Sequence, residues 1–201
     1  MNSSTRKIAA TANTKARLRQ QLRQRRQALT HSQQQSAARQ LCARFARLSC
    51  FRRSQTIAMY CASDGEIELQ QLLDAAWRAG KHTFLPVITG PGQMEFRRYR
   101  AGEQLQINRY GIAEPQAGQA LIATLELDLI ITPLVGFDRR GYRLGMGGGY
   151  YDRALEQSGK RSNQPLSIGA AHSFQELEEV PTETWDRRLQ GVVTEQAYHR
   201  C

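Results

Sequence analysis

From Leu127 to Val135 the chain reads LDLIITPLV, an apolar run interrupted only by Asp128, Thr132 and Pro133. A strand with one wet face alternates apolar and polar residues; a nearly continuous apolar strand must be covered on both faces. That requirement selects a layered α/β architecture. QTIAMYCA (55–62), HTFLPVI (82–88), LSIGAA (166–171) and GVVTE (191–195) supply further short strands. Between them lie helical patterns over 14–29, 31–47 and 66–81, the second opened by a Thr30/Gln33 capping box and the third stopped by Gly80. Residues 89–120, rich in Gly, Pro and Gln, read as an excursion from the sheet with at most a hairpin at 94–99. At 201 residues the expected fold is a single-domain three-layer α/β/α with a mainly parallel sheet over 14–201, preceded by a flexible extension over 1–13.

Charge divides the chain unevenly. Residues 1–63 hold 13 Lys/Arg and no acid, so the net +10 originates in the N-terminal segment. Such a segment suits a polyanionic partner: a nucleic acid, a nucleotide or an anionic membrane. No apolar run approaches the roughly 20 residues that span a bilayer. Cys42, Cys50, Cys61 and Cys201 form no C-x-x-C pair and no metal-ligand spacing, as free thiols of a reducing cytoplasm would. The acid-free N-terminus also has the composition of a mitochondrial transit peptide.

The stretch from Arg143 to Asp152 concentrates candidate chemistry: Gly145, Gly147, Gly148 and Gly149 lie between a strand end and a helix. Glycines let backbone N–H groups converge on an anion, and a helix N-terminus adds its positive dipole end. A flexible turn would show the same glycines, but Arg143 and Asp152 add the fixed cation and the magnesium-competent carboxylate that phosphoryl transfer uses. Lys15 and Arg19 are spaced i,i+4 on one helix face continued by Arg23 and Arg26. That face can bracket a polyphosphate or be simply solvated. Asp64 and Glu66 follow a strand at its C-terminal end, where open α/β sheets place ligand contacts; Glu66 is equally a first-turn helix residue. Asp186 is expected to pair with Arg187 or Arg188. Phe137, Tyr150, Tyr151 and Trp185 line either a flat-ring pocket or the core, the core being the safer reading.

Taken together, PLVGFDRRGYRLGMGGGYYDRAL (133–155), the K-x-x-x-R helix from Lys15, the SDGEIE turn, YGIAEP (110–115) and the PTETWD tail, in that order, resemble the 5-formyltetrahydrofolate cyclo-ligases. The resemblance implies ATP- and Mg²⁺-dependent cyclisation of 5-formyltetrahydrofolate to 5,10-methenyltetrahydrofolate, with ADP and phosphate released through a phosphorylated formyl intermediate. Carried over position by position, it puts Lys15, Arg19, Arg143, Leu144, Gly145, Met146, Gly147, Gly148, Gly149, Tyr150, Tyr151 and Asp152 at ATP. It makes Arg143 and Tyr151 catalytic and gives the magnesium to Asp152 and Asp186. Cys61, Glu66, Met146, Gly147, Gly148, Gly149 and Tyr150 would lie against the folate. A cytoplasmic monomer without nucleic-acid or membrane partners follows. Some members carry Arg and Lys where this chain has Met146 and Gly148, so Arg143, Arg19 or Arg153 must supply more of the neutralisation. A nucleic-acid-binding protein using the basic segment and a different ATP-dependent ligase or kinase are the rival readings.

Overall fold

The computed structural model describes residues 3–157 and 164–201. Its helices are α1 (Ser3–Gln27), α2 (His31–Arg47), α3 (Ser49–Arg53), α4 (Gln70–Arg78) and α5 (Tyr150–Gln157). An eight-stranded sheet has the order β12 (Tyr198–Arg200), β11 (Gly191–Val193), β10 (Leu166–Ala170), β7 (Leu129–Pro133), β1 (Thr56–Ala58), β2 (His82–Gly90), β3 (Gln93–Arg98), β6 (Leu121–Ile122). The central five strands run parallel; β12, β3 and β6 pair antiparallel at the edges. Two-stranded pairs are formed by β4 (Leu105–Ile107) with β5 (Ala113–Pro115) and by β8 (Gly136–Phe137) with β9 (Arg143–Leu144).

The layers follow from burial. Leu41 and Phe45 of α2 and Leu72 of α4 pack with Ile57, Leu129, Ile131 and Ile168 on one face of the sheet. Phe84, Phe96 and Ile130 meet Ala154 of α5 on the other. All four β7 residues from Leu129 to Thr132 are fully buried, as a doubly covered strand requires. Each such buried aliphatic side chain contributes about 1.5–3 kcal/mol relative to exposure, so the sheet centre is the anchor of the fold. Capping works locally: the Thr30 hydroxyl accepts from the Gln33 amide at 3.3 Å, and the Gln33 side chain accepts from the Thr30 N–H at 2.8 Å.

Several boundaries depart from expectation. The first helix is already formed at Ser3 and ends at Gln27. Within 89–120 the hairpin strand β3 joins the main sheet beside β2, while the rest leaves it as the separate β4–β5 pair before β6 returns to the sheet edge. Helix α4 begins at Gln70 rather than at 66. Asp64 and Gly65 adopt positive φ of 50° and 75°, and this left-handed turn ejects Glu66 from the helix. Among the described residues no helix is long and apolar enough to cross a membrane.

Candidate functional site

Strands β2 and β1 lie to one side of the sheet centre and β7, β10 and β11 to the other, so the winding reverses between β1 and β7. Open α/β sheets bind ligands outside the carboxyl ends of the strands at such a switch point. Here the turn after β1 carries Cys61 to Glu66, and the segment after β7 leads through β8 and β9 into the glycine loop. Helix α1 lies across this end, anchored by Leu22 against Val135, Leu144 and Val180.

Four of the α1 cations find partners within the fold. Lys15 Nζ donates to Asp186 Oδ2 at 2.9 Å, and Arg19 Nε donates to the Gly145 carbonyl at 2.8 Å. Arg23 and Arg26 both donate to the Asp64 carboxylate, at 2.7 and 2.6 Å. The solvated-face reading therefore fails for these four, and Asp186 pairs with neither Arg187 nor Arg188. Arg187 reaches Glu156 and Arg188 the Arg140 carbonyl. Burial lowers the Arg19 guanidinium's proton affinity, with nearby Asp186 opposing it.

Gly147 and Gly149 hold φ of +102° and +65°, conformations that side chains rarely adopt, so the loop is a defined turn. The loop is gripped at two carbonyls, Gly145 by Arg19 and Gly148 by Arg153, whose Nε also donates to the Gly92 carbonyl at 2.8 Å. Met146 is exposed. Arg19 and Arg153 are thus two cations held beside the loop by its own carbonyls. Arg143, buried with a side-chain exposure of 4%, donates to Asp152 Oδ1 at 2.5 Å and to the Arg187 carbonyl at 2.9 Å. Its proton affinity is lowered by burial and partly restored by Asp152 and Asp186. The Arg187 N–H also donates to Asp152, at 3.3 Å. Asp152 thus accepts from the backbone of the residue that follows Asp186.

The turn after β1 is equally constrained. Ser63 N–H donates to Glu66 Oε2 at 3.1 Å, and Arg26 Nη1 lies 3.8 Å from Oε1. Burial raises the Glu66 pKa against the opposing pull of Arg26 and Ser63. Glu66 therefore sits in the turn after β1 and not in the first turn of α4, where it would have met the helix dipole. Burial also pushes the Cys61 thiol up to about 11. Tyr151 carries a buried hydroxyl with no hydrogen-bond partner among the described residues. Burial raises its pKa, with Glu66 and Cys61 adding to the rise and Arg143 opposing it. One phenol is thus close enough to feel both the Arg143 side and the Cys61/Glu66 side of the cleft. An orphaned buried hydroxyl signals a missing partner, since such groups in native proteins are nearly always satisfied.

Of the aromatic residues, Phe137 is core, Tyr150 and Tyr151 are half-buried, and Trp185 is 59% exposed, which removes it from the core. Two side chains beside these residues have no individual role assigned from the sequence. Tyr110, from the loop between β4 and β5, places its hydroxyl 3.2 Å from that of Tyr150, bordering a hollow with Asn108 and Glu114. Arg26, in sequence one of a basic series, is fully buried. A single large cation spaced i,i+3 from Arg23 carries no local mark of burial. Among the described residues no three His, Cys, Asp or Glu side chains converge as a metal centre.

The 5-formyltetrahydrofolate cyclo-ligase family model matches residues 11–195. The 5-formyltetrahydrofolate cyclo-ligase of Escherichia coli K12 is 42% identical over 176 residues, covering 86% of this chain and 96% of its own. That of Haemophilus influenzae is 37% identical over 186 residues, covering 90% and 98%. The solved 5,10-methenyltetrahydrofolate synthetase of Aquifex aeolicus superposes with a TM-score of 0.80 at 30% identity, covering 92% of each chain.

Proposed function

Since the chain belongs to the 5-formyltetrahydrofolate cyclo-ligase family, we propose that it cyclises 5-formyltetrahydrofolate to 5,10-methenyltetrahydrofolate at the β1/β7 switch point, consuming ATP. The observation that carries the ATP assignment is the convergence on one glycine loop of Arg19 at Gly145 and of the Lys15–Asp186 and Arg143–Asp152 pairs.

An amide-like formyl oxygen is a poor leaving group, and ATP converts it to a phosphate ester. The formyl oxygen attacks the γ-phosphorus, the bond to the bridging oxygen breaks and ADP leaves. N10 then attacks the formyl carbon, the C–O bond to phosphate breaks, and the N10 proton is released as the amidinium ring closes. This chemistry needs positioning and charge neutralisation more than a general base. Lys15, Arg19 and Arg143, with the loop from Leu144 to Tyr151, hold the triphosphate. The Tyr151 phenol, neutral at physiological pH, donates its unused proton to the oxygen that gains charge. Cys61, Glu66 and the loop from Met146 to Tyr150 flank the folate.

Asp152 and Asp186 each spend one carboxylate oxygen on internal donors, Oδ1 and Oδ2 respectively. Two hard oxygens remain, the number of carboxylate ligands Mg²⁺ usually takes beside substrate phosphates and water. These two residues would hold the ion, which when bound neutralises charge on the phosphates. Four free cysteines fit a cytoplasmic setting. The nucleic-acid reading is weakened because Lys15, Arg19, Arg23 and Arg26 all serve internal partners.

The test is direct: purified protein with 5-formyltetrahydrofolate, Mg²⁺ and ATP should form the absorbing methenyl product with one ADP per product. ATP consumption only with another acceptor would indicate a different ligase or kinase, and salt-sensitive retention of an oligonucleotide without turnover would restore the nucleic-acid reading.

A further inference from the structure

The largest fully buried side chain is Arg26. A guanidinium stays charged, and leaving it unpaired in the interior costs several kcal/mol. Its partners are therefore informative. Nε donates to the Asp64 carbonyl at 2.7 Å, Nη2 to Asp64 Oδ2 at 2.6 Å, and Nη1 to the Leu134 carbonyl at 3.4 Å. The same Nη1 stops 3.8 Å short of Glu66 Oε1, too far for a hydrogen bond. Glu66 Oε2 accepts from Ser63, while Oε1 accepts nothing among the described residues. A buried carboxylate thus lies beside a buried guanidinium and is not captured by it.

Asp64 accounts for this. It occupies a left-handed φ of 50°, which aspartate tolerates better than most residues, and the turn brings both its carbonyl and its carboxylate onto Arg26. Arg23 and Gln27 donate to the same carboxylate and fix its direction. Gly65 is needed in that turn, since a Cβ would stand 3.1 Å from Arg26 Cγ and from the Arg26 carbonyl. His172 Nε2, 3.2 Å from the Gly65 carbonyl, grips the turn from the β10 side.

We propose that Asp64 is a positioning residue that diverts the Arg26 guanidinium from Glu66, so that Oε1 of Glu66 stays available to accept a hydrogen bond from the substrate. The proposal rests on the folate reading of Glu66, and it makes the negative charge of Asp64 a determinant of substrate affinity without contact.

Asp64→Asn is the decisive variant, because asparagine suits positive φ and keeps an oxygen acceptor while the charge is removed. Arg26 should then close on Glu66. Calorimetry should show 5-formyltetrahydrofolate affinity falling about tenfold or more, the scale of one hydrogen bond to a charged group. ATP affinity should stay within about twofold, and kcat should change less than KM for the folate. Arg26→Lys leaves a cation on Asp64 and Oε1 free, so folate affinity should stay within about threefold. A crystal structure of the Asp64→Asn protein should show Nη1 within hydrogen-bond distance of Oε1. Equal losses of ATP and folate affinity, unchanged folate affinity, or an Arg26–Glu66 separation that stays as it is here would each overturn the proposal. The crystallographic readout holds even if the wild-type protein binds no folate, an outcome that would instead sink the reading of its function.

Discussion

Lys15 and Asp186 lie 171 positions apart in sequence and 2.9 Å apart in space, joining the first helix to the loop that precedes β11. The pair is mostly shielded, with side-chain exposures of 13% and 16%. Under the proposed function, such a pair would offer one cation and one carboxylate oxygen to a metal-complexed polyphosphate.

Lys15→Ala should therefore act mainly on nucleotide binding. The expected result is a rise of about tenfold in KM for ATP with kcat reduced less than about threefold, since in the proposed role this cation would contact the polyphosphate alike in ground and transition states. Arg19→Ala should behave similarly. Initial rates over an ATP titration check both, and a fall in kcat at unchanged KM would place these cations at the reacting phosphoryl group instead.

Arg143→Ala and Asp152→Ala should each lower kcat by about 10² or more, because in the proposed mechanism both act on charge at the transferred group. Arg143→Lys should recover little, since the native guanidinium serves Asp152 and the Arg187 carbonyl at once. Near-UV circular dichroism establishes that the variants are folded. Wild-type rates for Asp152→Ala across a magnesium titration would remove this carboxylate from metal binding.

Glu66→Gln replaces one acceptor oxygen with a donor at constant shape. Affinity for 5-formyltetrahydrofolate should fall by about 1.5–3 kcal/mol, the range for hydrogen bonds to charged groups, while ATP affinity hardly changes. Calorimetric titration of each ligand separates the two. Unchanged folate affinity would take Glu66 out of the pocket.

Asp64 also predicts an acid limb of stability. Burial alone would raise its carboxyl, but hydrogen bonds from Arg23, Gln27 and Arg26 outweigh that and hold it at about 2, below the ordinary 3.8. A folded pKa below the unfolded one contributes stability that is complete above the unfolded value and is lost as pH falls towards the folded value. Urea midpoints should thus decline between about pH 4 and pH 2 more steeply in the wild type than in Asp64→Asn. Parallel declines in the two proteins would show that the carboxylate is not stabilised in this way.

Local signals were legible from the chain alone. The Thr30/Gln33 capping box, the apolar run that became β7 and the glycine spacing after Arg143 each record constraints satisfied within a few residues. Boundaries were less legible where a tertiary contact overrode a local pattern. The helical periodicity from 66 yields to the left-handed turn at Asp64 and Gly65, which Arg23, Arg26 and Gln27 of α1 hold from outside.

Sequence by itself determined the doubly covered sheet centre, its five parallel strands in chain order, and the motifs that mark the family, because backbone propensity and burial period are written at spacings of two to four residues. Tertiary structure alone decided that Asp186 faces Lys15 and not its arginine neighbours, that Arg26 is buried against Asp64, and that Tyr110 meets Tyr150. Those pairings depend on where β1 and β7 meet in the sheet and on α1 lying across their carboxyl ends. A charge records its sign in the sequence, whereas its partner is whichever opposite group the folded chain brings within about 4 Å.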